Sequence, residues 1–170
     1  TLSVPPVSAA EIEAFRREVL LPPTEQDFLR LGSCDAGLST DDGRRFRLNF
    51  FLQQGRPGLI ARLVPSGALD LAELHLPELL RQMAESPRGL LLIVGPAGCG
   101  KSTTMAAILH HVNANYARHI ITIEDPIEFV HRDLKSLVTQ REVGADTASF
   151  AEALRHVVRE SPDAIFIGEL

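Results

Sequence analysis

The sequence predicts an α/β protein in two parts. Residues 1–86 read as a small α+β domain. Residues 87–170 read as the N-terminal part of a nucleotide-binding core, a parallel sheet with helical crossovers. Three observations predict this. Residues 95–102, Gly-Pro-Ala-Gly-Cys-Gly-Lys-Ser, follow the apolar run Leu90–Val94 and precede a helical stretch. That is the strand–loop–helix setting of the phosphate loop G-x-x-x-x-G-K-[ST]. After Gly89, apolar runs alternate with amphipathic stretches, as in a parallel sheet covered on both faces. Before Pro87 the clearest strand, 45–52, alternates apolar and polar residues, as in a sheet with one face in a core.

In the first part, Ser8-x-x-Glu11 is a capping box opening a helix with Ile12, Phe15 and Val19 on one stripe. Pro22-Pro23 is expected to stop it, and Thr24 to begin a second short helix carrying Phe28 and Leu31. Gly32 to Gly43 reads as turns. Strand 45–52 sets Phe46, Leu48, Phe50 and Leu52 against Arg45, Arg47 and Asn49. A hairpin connection over Gly55–Gly58 leads to a partner strand, Leu59–Val64, interrupted by Arg62. A helix from about Pro77 to Glu85 follows, proline suiting its first turn. Ser86–Gly89 reads as a linker.

In the second part the expected order is strand 90–94, phosphate loop, helix 101–113, strand 119–123, an acidic turn, helix 149–160 and strand 164–167. The chain ends at Glu169-Leu170, directly after an apolar strand. The core is therefore expected to be a fragment, with only three parallel strands read in it.

Composition narrows the function classes. The 170 residues carry 22 acidic and 17 basic side chains, a formal charge of −5. Such a balance argues against nucleic acid as a bulk partner, because neutralising phosphates needs a basic surface. The two cysteines, Cys34 and Cys99, suggest no disulfide framework and fit a reducing compartment. No apolar run approaches the roughly 18–20 residues that span a bilayer. Direct membrane insertion is not expected, and the expected setting is cytoplasmic.

The loop names a ligand. Gly95, Gly98 and Gly100 clear side chains from a backbone whose N–H groups can cradle phosphate. Lys101 brings charge to the β- and γ-phosphates, Ser102 offers a hydroxyl to Mg²⁺, and the helix start adds donors. Pro96, Ala97, Cys99 and Thr103 complete the expected nucleotide contacts. Two acidic segments stand at strand ends, where ligands bind in open α/β sheets. Glu124-Asp125-Pro126-Ile127-Glu128 fits a Mg²⁺–water network and a general base; an ordinary acidic turn is the alternative. Glu169, after Ala164–Gly168, fits a carboxylate near the metal; a strand that happens to end on an acid is the alternative.

Together these segments resemble the type IV pilus retraction ATPases, the PilT-like branch of the type II/type IV secretion ATPases. The resemblance runs from about Pro5 to the last residue. It rests on Pro87-Arg88-Gly89-Leu90, the loop Gly95–Ser102 with Thr103-Thr104, and Thr122–Val130. It continues through Gln140-Arg141-Glu142-Val143-Gly144 and Ser161-Pro162-Asp163 to Gly168-Glu169. The resemblance implies a PAS-like N-terminal domain, a RecA-like ATPase domain, and nucleotide between them. It implies ATP and Mg²⁺ as cofactors, a homohexamer, and a pilus inner-membrane platform protein as partner, so that the motor is peripheral to that membrane.

By the same resemblance Lys101 binds phosphate and Ser102 the metal, Glu128 activates the attacking water, and Glu169 is the Walker B glutamate acting on Mg²⁺ directly or through water. Glu124 and Asp125 stand behind the metal's waters. Arg47 and Arg62 match N-terminal arginines that approach the γ-phosphate, a task that suits guanidinium; a solvated strand face is the alternative for Arg47. Ala97 and Cys99 depart from the family's usual small or hydroxyl residues, at positions where phosphate binding tolerates change. The family's first strand is expected before Thr1, and its histidine box after Leu170.

Two other functions stay open on the sequence. One is the assembly or type II secretion branch, which a four-cysteine zinc site beyond Leu170 would favour. The other is a nucleotide-binding oligomerisation module without turnover, and these 170 residues alone are expected to have little activity. The six histidines show no repeated ligand spacing. Arg155 and Arg159 read as a solvated helical stripe.

Overall fold

A computed structural model describes residues 6–67 and 70–169. The chain divides into two compact units after Val64.

The first unit is two helices and an antiparallel sheet. Helix α1 (Ala9–Val19) starts on the expected capping box, with Ser8 and Glu11 bonded reciprocally. Helix α2 (Pro22–Leu31) takes both prolines into its first turn instead of starting after them, since proline is tolerated where helix N–H groups have no acceptor. It ends at Gly32, φ 75°, where only glycine is free of strain. Strands β1 (Ser33–Ser39), β2 (Arg45–Gln53) and β3 (Arg56–Val64) pair in that order. β1 lies where turns were expected.

The core of this unit is Leu20, Phe28, Leu48 and Phe50, with Ile12, Phe15, Val19 and Phe46 packed against it. Leu52, expected inward with them, is 49% exposed. Arg16 is buried at 2% exposure, paired with Glu13 and Glu25 and stacked on the Phe28 ring 4.4 Å away. Those carboxylates hold its guanidinium charged and raise its pKa.

The second unit is an α/β layer. Helices α3 (Glu78–Glu85) and α4 (Lys101–Asn115) precede strand β4 (His119–Glu124). β5 (Leu137–Glu142), helix α5 (Phe150–Val157) and β6 (Ala164–Ile167) follow. The sheet is parallel, in the order β5-β4-β6. α5 starts on the Ser149 cap. β4 carries Ile120, Ile121 and Ile123, all fully buried.

Two differences from the sequence reading concern this unit. Residues 65–86, expected with the first domain, belong to the second unit. Leu71, Leu74, Leu80 and Ala84 share a core with Ala107 and Ile108 of α4, so the apolar stripe of α3 finds its partner there. Residues 90–94 form no strand ladder. Leu91 and Ile93 pack into that same core, while Leu90 and Val94 are 83% and 89% exposed. The run has a strand's alternation, but among the described residues no strand lies beside it to accept its hydrogen bonds. The three parallel strands are thus 119–124, 137–142 and 164–167, the second of them unexpected.

Candidate active site

The phosphate loop enters α4 through two glycines with positive φ, Gly98 at 76° and Gly100 at 96°. A side chain there would be strained. At Gly95 the reason for glycine is different, since a Cβ would lie 2.6 Å from Cys99 Sγ. Lys101 Nζ donates to the carbonyls of Gly95 and Pro96, both at 2.9 Å. The ammonium is thus folded back over its own loop, where a phosphate would compete for it. Gly95 to Cys99 are exposed, as a ligand-binding loop requires.

α4 fixes this loop against the sheet. Its buried residues Ala107 and Ile108 share one core with Leu91 and Ile93, just before the loop, and with Phe166 of β6. The core therefore ties the loop to the strand that leads to Glu169. β6 pairs β4 up to Ile123–Ile167, and Gly168 N–H then donates to Ile123 O at 2.8 Å. A Cβ on Gly168 would stand 3.3 Å from the Glu124 Cα. Glycine here lets β6 deliver Glu169 beside the acidic turn, and both strands end at the same edge.

The carboxylates of that turn and Glu169 differ in burial. Asp125, Glu128 and Glu169 are exposed, while Glu124 is buried at 8% exposure. Glu124 accepts from Thr122 Oγ1 at 2.7 Å, from Gln140 Nε2 at 3.1 Å and from the Glu128 N–H at 3.3 Å. Burial raises its pKa, opposed by those donors. Glu124 thus holds the turn from inside, and its acceptor positions go to the chain's own groups. Glu128 and Glu169 have carboxylates open to a ligand.

Among the described residues, no three His, Cys, Asp or Glu come together as a metal-binding group. The donors left, a Ser102 hydroxyl at the start of α4 and an exposed Glu169 carboxylate, are few, hard oxygen ligands. Mg²⁺ fits such a set, since it is usually held by one or two protein oxygens together with phosphates and water.

Arg47 and Arg62 belong to the first unit, where they are register partners on β2 and β3. Arg62 is exposed, and Arg47 stands 3.8 Å from Asp35. Sequence reasoning named both arginines without placing them side by side. It missed Gln140 as part of the site, although that residue lies in a segment carrying the resemblance.

Residues 62–170 match the family described as "Type II/IV secretion system protein". The chain belongs to that family. It is 41% identical over 169 residues to the type IV pilus retractation ATPase PilT of Pseudomonas aeruginosa, covering 99% of this chain and 49% of that protein. A twitching motility protein of Neisseria gonorrhoeae is likewise 41% identical over 169 residues, with 99% and 45% covered. The fold superposes on the crystal structure of the pilus retraction motor PilT with bound ADP at a TM-score of 0.84. There the identity is 40%, over 93% of this chain and 46% of that one. The ATPase DotB of Legionella pneumophila gives 0.82, with 25% identity, over 98% and 48%. This member of the secretion family thus spans about half the length of the relatives it matches. No described helix is long and apolar enough to cross a membrane.

Proposed function

We propose that the whole protein is an ATP-hydrolysing motor subunit that powers type IV pilus retraction and twitching motility. One observation carries this reading: the segment before the phosphate loop shares a core with Phe166 of β6, and β6, which leads to Glu169, runs beside β4, which leads into the acidic turn. The similarity to PilT and to a twitching motility protein supports the retraction branch.

In this proposal the loop backbone from Gly95 to Thr103 binds the phosphates, and Lys101 exchanges its two carbonyl contacts for phosphate oxygens. Ser102 and Glu169 would hold Mg²⁺, with Asp125 behind its waters; Glu124, expected beside them, instead turns its oxygens to Thr122, Gln140 and the Glu128 N–H and shapes the turn. The metal, when bound, neutralises charge that develops on the phosphates. Glu128 takes the proton of the attacking water; its exposed carboxylate suits that task. Arg47 and Arg62, side by side on a PAS-like domain, supply cations to the γ-phosphate. The working form is a homohexamer in the cytoplasm, held at the inner membrane by the pilus platform protein.

Complementation tests this. A host lacking the gene should keep surface pili yet fail to twitch, and the wild-type gene but not Lys101→Ala should restore motility. Rescue by Lys101→Ala contradicts the motor reading. A host without surface pili points to the assembly branch instead.

A further inference from the structure

We propose that Gln140 is a positioning residue of this site, a side-chain clamp that fixes the backbone after Glu128 at Phe129 and His131 and holds the Glu124 carboxylate that precedes it. The inference rests on the reading of Glu128 as the base that activates water. The observation behind it is how an irregular loop is held. Residues 125–131 lie in no helix or extended strand; Val130 is bridged by backbone to residues 65–67, and side chains of β5 and β4 hold other backbone groups of the loop. Gln140 Nε2 donates to Phe129 O at 2.9 Å and to Glu124 Oε1 at 3.1 Å, while its Oε1 accepts from the His131 N–H at 2.8 Å. Two residues along the same strand, Glu142 Oε2 accepts from the Ile127 N–H at 3.0 Å. Glu124 takes the N–H of Glu128 itself.

Chemistry makes glutamine specific here. Its two amide hydrogens meet two acceptors, and its oxygen meets a donor. Turning the amide over would set oxygen against both Phe129 O and Glu124 Oε1, and nitrogen against the His131 N–H. All three contacts would fail, so only one orientation fits. A glutamate at this position would oppose two acceptors with a charged oxygen. Residues 140 and 142 share one face of β5, since strand side chains alternate. The Gln-x-Glu spacing therefore grips the loop at both ends, and Glu128 stands between the grips with its own carboxylate exposed. A general base gains its effect from being held within a fraction of an ångström of its water.

The test uses the whole protein and three variants. Gln140→Glu keeps the shape and reverses the donors; Gln140→Met keeps the length and removes them. Both should lower kcat for ATP by about tenfold or more while KM stays within about twofold, because the phosphate loop is untouched. Glu128→Gln separates the two claims. If it abolishes turnover while both Gln140 variants turn over like the wild type, the clamp is wrong and the base stands. If Glu128→Gln leaves turnover intact, the base is wrong and the clamp falls with it. A measurement on the wild type alone guards against variants that fail to fold. The amides of Ile127, Glu128 and His131 should exchange with solvent nearly as slowly as those of β4; exchange at loop rates overturns the proposal.

Discussion

Arg47 and Arg62 stand directly opposite each other on β2 and β3, two guanidinium groups on neighbouring strands. Like charges in that register repel, which disfavours the pair against a neutral one. Asp35 offsets part of this for Arg47. Keeping two cations there makes sense if a polyanion meets them.

The first prediction follows from this opposition. Arg47→Ala and Arg62→Ala should leave thermal stability unchanged or raise it by a degree or so. Each should lower ATP turnover by about tenfold or more, as expected for a cation lost from a phosphoryl-transfer site. Thermal melts and steady-state turnover check the pair of effects. Loss of stability with intact turnover would make the arginines structural.

A second prediction concerns His131. Burial depresses its pKa to about 4, and its Nδ1 is a buried atom without a hydrogen-bond partner. The unfolded histidine titrates near 6.5. A depressed folded pKa means stability that is present above about pH 6.5 and lost as pH falls toward 4. Discounted for partial solvent access, the loss should be on the order of 2 kcal/mol. Urea denaturation at pH 7 and pH 5 should show a stability decrease that His131→Phe reduces.

Glu124 has the opposite sign of linkage. Burial raises its folded pKa above the unfolded value. Its contribution is greatest at low pH and falls as pH rises through the folded pKa. Denaturation midpoints of the wild type against Glu124→Gln, taken from pH 4.5 upward, should show this falling component in the wild type alone. A wild-type curve parallel to that of the variant would count against it.

The first helix gives a prediction independent of function. Ser8 accepts from the Glu11 N–H, and Glu11 accepts from the Ser8 N–H at 2.8 Å. Ser8→Ala should cost about 1 kcal/mol of stability. A change below about 0.3 kcal/mol in chemical denaturation would mean the cap contributes nothing measurable.

What was legible in the sequence depended on whether a signal was local. The Ser8–Glu11 box, the alternation of 45–52 and the runs at 119–123 and 164–167 each carry their own pattern, and each forms the expected element. β5 was not legible because Leu137-Val-Thr-Gln-Arg-Glu is mostly polar; Val138 packs into the core of Leu109, Val112 and Ile120, while Thr139, Gln140 and Glu142 serve His119 and the acidic loop. β1 was hidden for a similar reason, since Ser33–Ser39 has small and polar residues and Gly37. At 90–94 the difference runs the other way: an apolar run is present, and among the described residues no strand lies beside it to complete a ladder.

The site was legible in its reactive groups and not in its supports. A lysine in a phosphate loop and acids at strand ends are recognisable one at a time. Glu124 reads like its neighbours Asp125 and Glu128 in sequence, and only the fold shows it turned inward. Gln140 is 12 residues from Glu128 in sequence, and its clamp exists only once β5 lies beside β4.

In the proposed motor, phosphate loop and acidic turn form one hydrolytic site. The most direct measurement is steady-state ATP turnover of the whole protein beside its Glu128→Gln variant, with nucleotide affinity measured in parallel. The variant should bind ATP within a few-fold of the wild type and lose at least about a hundredfold in kcat. Turnover unchanged by the substitution would contradict it.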